Sequence, residues 1–245
     1  MLYSKNAKVY VGSRSKEKGT KAIEELRERS PQSKGELVLL QLDLADLTTI
    51  KAPVEEFLSR ETRLDVLFNN AGVMATPRGS KSAQGYELHL GTNNVGPHLL
   101  TRLLTPMLVA TAKAEAEAGR RAAVRVVWVS SLATECFSPT GGVEMEHLNY
   151  HGDATWMYKY GVSKAGNYLQ ATEFARRHRG DGVVSVAVNP GNLDSELYRT
   201  QPSLLGRFMK TFVLWPSVYG AYTELFGGLS PEVTFEKTGA WSESS

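Results

Sequence analysis

Two nearly continuous apolar runs, residues 123–129 and 183–188, restrict the fold of this chain more than any other feature. Both are rich in valine, which favours β-strands, and both are far too short to cross a membrane as a helix. A strand that is apolar on both faces is typical of a parallel sheet with helices packed on either side. The two runs therefore predict an α/β protein in which they form buried strands of a parallel sheet.

Further strands and amphipathic helices alternate along the rest of the chain. Apolar or β-branched runs predict strands at residues 8–11, 36–42 and 64–68, and apolar positions at helical spacing predict helices at 15–29, 47–59, 86–111 and 157–178. This alternation predicts a doubly wound, Rossmann-like parallel sheet. Because no internal repeat, linker or shift in composition interrupts it, we expect a single domain over residues 1–245.

Composition excludes several classes of protein. The single cysteine, Cys136, cannot form an intrachain disulfide, which favours a reducing, cytoplasmic environment. A net charge of +2 gives no reason to expect a nucleic-acid partner. No run of about 20 apolar residues is present, and no transmembrane helix is predicted. Charges interrupt the apolar segment 204–229, and two interpretations stay open: buried helices around a pocket, or contact with a membrane surface.

Polar and turn-forming residues follow five of the predicted strands. In parallel α/β sheets, ligands bind beyond the carboxyl ends of the strands. Any one such group is typical of an ordinary turn, where these residue types are common for structural reasons. Five such groups in succession predict a ligand site along one edge of the sheet. The groups are Gly12-Ser13-Arg14, Asp43, Asn-Asn-Ala-Gly at 69–72, Ser130-Ser131 and Asn189-Pro190-Gly191.

Tyr160 and Lys164 are the pair that points most directly to chemistry. Their spacing of four places both side chains on one face of a helix, with Cβ atoms roughly 5–6 Å apart. A phenol has an ordinary pKa of about 10, and a nearby ammonium favours its phenolate form. Such a phenol can exchange a proton with the oxygen of an alcohol or a ketone. The pair alone is a weak signal, because Tyr-x-x-x-Lys occurs on many helix surfaces.

Four motifs occur in this order: Asn-Asn-Ala-Gly after one strand, Ser-Ser after a buried strand, Tyr-Gly-Val-Ser-Lys in a helix and Asn-Pro-Gly after the next strand. In this combination the sequence resembles the short-chain dehydrogenase/reductase family over nearly the whole chain. Residues 218–241 resemble fungal members related to retinol-dehydrogenase-type reductases. The resemblance implies an NADP-dependent oxidoreductase that interconverts a hydroxyl and a carbonyl on an apolar small molecule in specialised metabolism. It also implies a homo-oligomer, and a substrate lid at residues 197–229.

The resemblance also implies catalytic roles for particular residues. Tyr160 would exchange the proton with the substrate oxygen, and Lys164 would lower the pKa of Tyr160 while bonding the nicotinamide ribose. Ser131 would hold the substrate carbonyl, with Ser130 as the alternative. Asn93 matches the helix asparagine that supports a water-mediated proton relay.

Cofactor contacts follow from the same resemblance. Asp43 would meet the adenine ring, and Asn70 lies where the backbone passes the adenine ribose. Arg102 resembles a basic residue that is sometimes near the cofactor. Leu193 and Ser195 match the segment that binds the carboxamide of the nicotinamide.

Arg14 bears on the choice between NAD and NADP. It follows the first strand, where an acidic residue would bind the free 2′-hydroxyl of NAD. A guanidinium suits a 2′-phosphate instead, so NADP is favoured, while a solvated arginine stays the alternative interpretation. No metal site is predicted, because His147 and His151 lie in a loop-like segment without a third ligand nearby.

The family pattern also contains a first strand followed by Thr-Gly-x-x-x-Gly-x-Gly, whose glycines let the backbone approach the cofactor pyrophosphate. That spacing does not occur among the 22 glycines of this chain, so we expect a sheet without its first strand and glycine-rich loop. The strands beside it would then be unpaired. Three explanations stay open: a truncated gene product, a rearranged protein that no longer binds dinucleotide, or a partner that supplies the strand. The alternative function is thus a degenerate, non-catalytic protein that acts by binding or assembly.

Overall fold

Strands and helices alternate in the computed structural model, which describes residues 1–148, 154–194 and 214–243. They form a Rossmann-like α/β domain with parallel strand pairing, as the sequence predicts. The strands are β1 (Lys8–Ser13), β2 (Glu36–Gln41), β3 (Val66–Asn69), β4 (Val124–Val129), β5 (Val183–Asn189), β6 (Leu193–Asp194), β7 (Trp215–Pro216) and β8 (Trp241–Glu243). The helices are α1 (Lys16–Arg29), α2 (Lys51–Arg60), α3 (Leu88–Leu90), α4 (Gly96–Glu117), α5 (Ala133–Phe137), α6 (Trp156–His178) and α7 (Ser217–Leu229).

The long helix predicted at 86–111 is divided in the structure. The short helix α3 leads into a π-helical turn, Gly91–Val95, and only then does α4 begin. At its other end α4 continues past residue 111 into the Ala/Glu/Lys-rich stretch and ends at Glu117. A π-helical turn adds a residue to the helical repeat and often lies at a functional site. Hydrophobic spacing does not reveal such a turn, because four of its five residues are buried despite their small or polar side chains.

Strands β4 and β5 form the buried centre of the sheet. Every residue of both strands is buried, and they pair in parallel from Val124 opposite Val183 to Val129 opposite Val188. This confirms the prediction from their apolar runs. Strand β3 pairs with β4, and β8 pairs with β5, which gives a four-stranded parallel sheet in the order β3-β4-β5-β8.

The side chains of β4 and β5 alternate between two apolar clusters, one on each face of the sheet. On one face, Val126 and Trp128 pack against helices α4 and α6. On the other face, Val127 and Val129 pack in a cluster that includes Val233. This period of two explains why the sequence of both strands is apolar throughout.

The described strands form three sheets: the β1–β2 pair, the four-stranded sheet and the short β6–β7 pair. The division between the first two lies between β1 and β3. Strand β1 pairs with β2 alone, and β3 pairs with β4 alone, so each has one neighbour within the described residues. Most side chains of β1 and β3 are half-buried, unlike those of β4. Tyr10 of β1 and Leu67 of β3 still pack against one cluster, formed by Leu44, Ile50, Val54, Phe57, Leu100 and Leu104. Helices α2 and α4 therefore bridge the division on one face.

Helix α4 begins where it touches the segment after β2. A Cβ atom on Gly96 would lie against the Leu44 carbonyl oxygen and 2.8 Å from the Leu44 Cβ, closer than real Cβ contacts. Only glycine permits this approach, which brings the start of α4 and the preceding π-helical turn against the edge of the sheet.

We expect Gly96→Ala to lower the free energy of unfolding by roughly 1–3 kcal/mol, because an added methyl group must displace backbone atoms. Denaturant unfolding of the purified chain measures this. Gly180→Ala is the matched control, because a Cβ atom on Gly180 would meet no other atom within 4 Å; its unfolding free energy should stay within about 0.5 kcal/mol of the parent. Equal effects in the two variants would show that the close approach does not matter.

Candidate active site

Helix α6 carries the two residues with the clearest chemistry, Tyr160 and Lys164. The helix begins after Thr155, whose hydroxyl accepts the Tyr158 backbone N–H at 3.2 Å and so caps its first turn. One helical turn later, Tyr160 and Lys164 are both buried, with 8% and 4% of their surfaces exposed. The predicted pair therefore lies on the inner face of α6 and not on its solvated side.

The ammonium of Lys164 lies at the carboxyl end of β4. Its Nζ donates a hydrogen bond to the Val129 carbonyl at 2.8 Å and lies 5.6 Å from the centroid of the Tyr160 ring. Burial lowers the pKa of Lys164 to about 8, while the charge of Glu224 on α7 acts in the opposite direction. The lysine is thus cationic at neutral pH and close enough to favour a phenolate at Tyr160.

Glu224 is the charged group that faces this lysine from α7. Burial raises the pKa of the half-buried Glu224 carboxyl to about 7, and the charge of Lys164 opposes that rise. In the sequence Glu224 is visible only as a charge that interrupts an apolar segment. Nothing in that pattern indicates that it lies near Lys164, 60 positions earlier in the chain.

Asn93 connects the segment after β3 to α6. From the π-helical turn, its Oδ1 accepts the Val73 N–H at 2.8 Å, while its Nδ2 donates to the Val73 carbonyl at 3.0 Å and to Ser163 Oγ at 2.9 Å. A Cβ atom on Gly72 would lie 3.1 Å from Asn93 Oδ1 and 3.6 Å from Lys164 Nζ. The predicted residues Asn93 and Lys164 thus flank one glycine backbone.

The two serines after β4 have different surroundings. Ser130 is 2% exposed, and its hydroxyl donates to the Lys164 carbonyl at 2.7 Å, which ties α6 to the end of β4. Ser131 is half-buried, and its Oγ accepts the Ala133 N–H at 3.2 Å. Accepting that bond leaves the hydroxyl hydrogen of Ser131 able to donate to a ligand. The geometry thus favours Ser131 over Ser130 for contact with a substrate.

Three predicted cofactor residues lie at the carboxyl ends of strands. Arg14 directly follows β1 and is exposed, and Asp43 follows β2, where its Oδ1 accepts the Ala45 N–H at 2.9 Å. Strands β1 and β2 are paired in register, with Ser13 opposite Gln41, so Arg14 and Asp43 lie at one edge of that pair. Asn70 is exposed directly after β3.

The structure shows no contact of the remaining predicted residues with Tyr160 or Lys164 among the residues that it describes. Arg102 is exposed on α4, and its charge adds to burial in lowering the pKa of His98, as does the charge of Arg177 on α6. Leu193 lies in β6, which pairs with Trp215 of β7. Residues 195–213 lie outside the described residues, and Ser195 and much of the predicted lid at 197–229 fall there.

Other site predictions concern metals and membranes. In the described ranges, no three His, Cys, Asp or Glu side chains are grouped so that they could hold a metal ion. His147 lies in a 3₁₀ turn, while His151 falls outside the described residues. No helix among the described residues is long and apolar enough to span a bilayer.

Asn69, directly before the predicted Asn70, is a buried polar residue that sequence reasoning missed. It is 6% exposed, and its Nδ2 donates to Thr101 Oγ1 at 2.9 Å. Its Oδ1 is buried and has no hydrogen-bond partner in the described part of the chain. Both asparagines belong to one motif, and the direction of the side chain from β3, not the residue type, decides which of them faces inward.

Comparison with known proteins links this site to a family. The short chain dehydrogenase pattern matches residues 1–143. A short-chain dehydrogenase/reductase of Phomopsis amygdali is 57% identical over 238 residues, which are 96% of this chain and 70% of that protein. The NADPH-bound carbonyl reductase from chicken fatty liver has a TM-score of 0.64 at 22% identity, covering 96% of this chain and 84% of that chain. A Burkholderia cenocepacia gluconate 5-dehydrogenase in complex with NADP and tartrate has a TM-score of 0.70 at 13% identity, covering 100% of this chain and 86% of that chain.

At these identities the two solved structures show a common fold and no more. The family pattern covers more than half of the 245 residues, and the Phomopsis relative is similar along almost all of them. Three of the motifs noted in the sequence, Asn-Asn-Ala-Gly, Ser-Ser and Tyr-Gly-Val-Ser-Lys, meet around Lys164 at the end of β4. The chain therefore belongs to the short-chain dehydrogenase/reductase family of oxidoreductases.

Proposed function

We propose that this chain is an NADP-dependent oxidoreductase that interconverts a hydroxyl and a carbonyl group on an apolar small molecule. One observation carries the proposal: a buried ammonium, Lys164 Nζ, lies 5.6 Å from the centroid of the buried Tyr160 ring at the end of β4. This arrangement supports acid–base chemistry on a substrate oxygen.

Tyr160 acts as the proton donor when a carbonyl is reduced. The phenol gives its proton to the substrate oxygen, and the Lys164 ammonium stabilises the phenolate that remains. Ser131 donates its hydroxyl hydrogen to the same oxygen and fixes its position. Asn93, held by Val73 and Ser163, orders the backbone beside Lys164 and would support a water-mediated relay that returns a proton to the phenolate. In the reverse direction the phenolate accepts the proton of an alcohol.

The nicotinamide and its ribose fit the residues at this edge of the sheet. Lys164 Nζ has three N–H groups, and one of them is used on the Val129 carbonyl, so the others can bind ribose hydroxyls. The Asn69 Oδ1, which has no partner among the residues that the structure describes, and the close approach allowed by Gly72 also suit a polar ligand. When bound, the reduced cofactor supplies the hydride for carbonyl reduction.

NADP is favoured over NAD by the exposed guanidinium of Arg14 at the end of β1. A guanidinium can bind a 2′-phosphate through two parallel hydrogen bonds. The carbonyl reductase binds NADPH and the gluconate 5-dehydrogenase binds NADP, so this fold can accommodate the cofactor that we propose. Asp43, at the same end of the β1–β2 pair as Arg14, would contact the adenine ring. The backbone at Asn70 would lie beside the adenine ribose.

An apolar substrate agrees with the surface of α7. The helix exposes a row of aromatic and aliphatic side chains, and Trp215 just before it is 64% exposed. The predicted lid at 197–229 would use this surface. The row is Val218, Tyr219, Tyr222, Phe226 and Leu229.

Compartment, assembly and pathway are further parts of the proposal. The single cysteine, the exposed Cys136, supports a reducing compartment, for which we propose the cytoplasm. The family resemblance supports a homo-oligomer, and the similarity to a fungal relative supports a role in specialised metabolism.

The division of the described sheet between β1 and β3 favours a second candidate function. A chain in which these strands stay unpaired would be a degenerate, non-catalytic protein that acts by binding or assembly. Saturable NADPH binding by the purified chain, followed by cofactor fluorescence, would count against this candidate.

We expect Tyr160→Phe to lower turnover by about 100-fold or more, because it removes the proton donor while it keeps the ring. NADPH oxidation with a panel of apolar carbonyls (benzaldehyde, decanal, acetophenone) measures this, and NADPH affinity should not change. Tyr158→Phe is the matched control on the same helix, where the hydroxyl meets Glu144 at 3.3 Å; it should turn over like the parent. Parental turnover in Tyr160→Phe would contradict the proposed function.

Glu224→Gln should change how activity depends on pH. The charge of Glu224 raises the pKa of Lys164, so its removal lets the ammonium lose its proton at a lower pH. The alkaline limb of kcat/KM should therefore move to lower pH. Glu232→Gln, which changes an exposed carboxylate beyond α7, should leave that limb in place. An unmoved limb in Glu224→Gln would show that the two charges are not coupled during turnover.

Arg14→Ala should weaken NADPH binding by about 10-fold or more, because it removes a charged hydrogen-bond donor to the 2′-phosphate. NADH lacks that phosphate, so its affinity should change by less than about 2-fold. Fluorescence titration with both nucleotides gives the ratio. Lys16→Ala removes a nearby exposed cation and should leave the ratio as in the parent. Equal losses for both nucleotides in Arg14→Ala would exclude a 2′-phosphate contact.

A further inference from the structure

A completely buried histidine, His89, packs against the ring of Tyr160. It lies in α3, and none of its surface is exposed. The two ring centroids are 6.3 Å apart at an interplanar angle of 65°, an edge-to-face arrangement. Such contacts hold aromatic rings in a defined orientation. Neither the sequence motifs nor the proposed mechanism uses this residue.

Glu87 anchors the His89 ring from two residues away. Its Oε1 lies 2.8 Å from His89 Nδ1, and its Oε2 accepts the Leu90 N–H at 3.1 Å. Burial raises the pKa of the Glu87 carboxyl, but the His89 and Leu90 hydrogen bonds and the charges of His89 and Lys159 hold it below its ordinary value. Glu87 is therefore a carboxylate, and Nδ1 of His89 donates the hydrogen bond to it.

This hydrogen bond fixes the orientation of the imidazole. With Nδ1 facing Glu87, Nε2 lies on the far side of the ring, where it is buried and has no partner within the described ranges. An anchored ring cannot rotate away from Tyr160 without breaking the Glu87 bond. Tyr160 is thus in contact with two groups of fixed position, the His89 imidazole and the Lys164 ammonium.

We propose that Glu87 and His89 form a positioning pair, which holds the Tyr160 ring where its hydroxyl can meet the substrate oxygen; this role rests on the proposed oxidoreductase function. Proton transfer depends steeply on geometry, and a displacement of about 1 Å can lower a rate by about 100-fold. The pair acts through Tyr160 and does not itself exchange the proton. Its effect therefore falls on turnover and not on cofactor binding.

His89→Leu tests the pair, because leucine fills the space without an anchor to Glu87. With NADPH and the best substrate of the carbonyl panel, kcat should fall by about 10-fold or more while KM stays within about 2-fold. The dissociation constant of NADPH should match that of the parent. His147→Leu, the same change at an exposed histidine, should behave like the parent. A parental kcat in His89→Leu would overturn the proposal and leave the proposed function standing.

The conservative variant His89→Gln separates positioning from general damage to the fold. Its amide N–H can still bond Glu87, so part of the lost kcat should return relative to His89→Leu. Recovery of thermal stability without any recovery of kcat would show a structural role alone and would overturn the proposal.

A readout without turnover distinguishes failure of this inference from failure of the proposed function. Unfolding free energies of the parent, His89→Leu, Tyr160→Leu and the double variant form a double-mutant cycle. Non-additivity beyond the error of the four measurements supports the positioning contact even if the parent reduces none of the carbonyls. Additive effects would overturn the pair in either case, while an inactive parent would count against the proposed function alone.

Discussion

A hydrogen bond of 2.8 Å joins the ammonium of Lys164 to the Val129 carbonyl at the end of β4, and the other groups of the site are arranged around it. Asn167 donates to the same carbonyl at 2.9 Å, and Ser130 donates to the carbonyl of Lys164 at 2.7 Å. A buried ammonium without partners is strongly disfavoured, so α6 must lie where this carbonyl is available. The end of a fully buried strand therefore sets the position of Tyr160.

Two ionisable groups approach each other at the end of β4 from helices on opposite faces of the sheet. Lys164 comes from α6 and Glu224 from α7, and burial moves both pKa values towards neutrality. A group that titrates near neutral pH can change its protonation with little energy, which suits a site where protons move. Glu87 and His89, which packs against the Tyr160 ring, form a second buried ionisable pair.

The division between β1 and β3 separates two kinds of residue. Tyr160, Lys164 and Ser131 rest on the ends of β4 and on α6, where the strands are buried on both faces. Arg14 and Asp43 follow β1 and β2, which pair only with each other in the described part of the chain. The groups proposed for proton transfer thus have a more completely packed support than the groups proposed for the adenosine half of the cofactor.

The sequence by itself determined the α/β class, the buried strands β4 and β5 and the face shared by Tyr160 and Lys164, because these depend on periods of two and of 3.6 residues. Only the tertiary structure decided that Ser130 ties α6 to the sheet, that Glu224 faces Lys164 and that His89 packs on Tyr160. These contacts join residues 34, 60 and 71 positions apart. Hydrophobic periodicity describes only neighbouring residues of one helix or strand, so it cannot indicate which distant side chains come together. Packing around the buried strands determines which of them share one low-dielectric site.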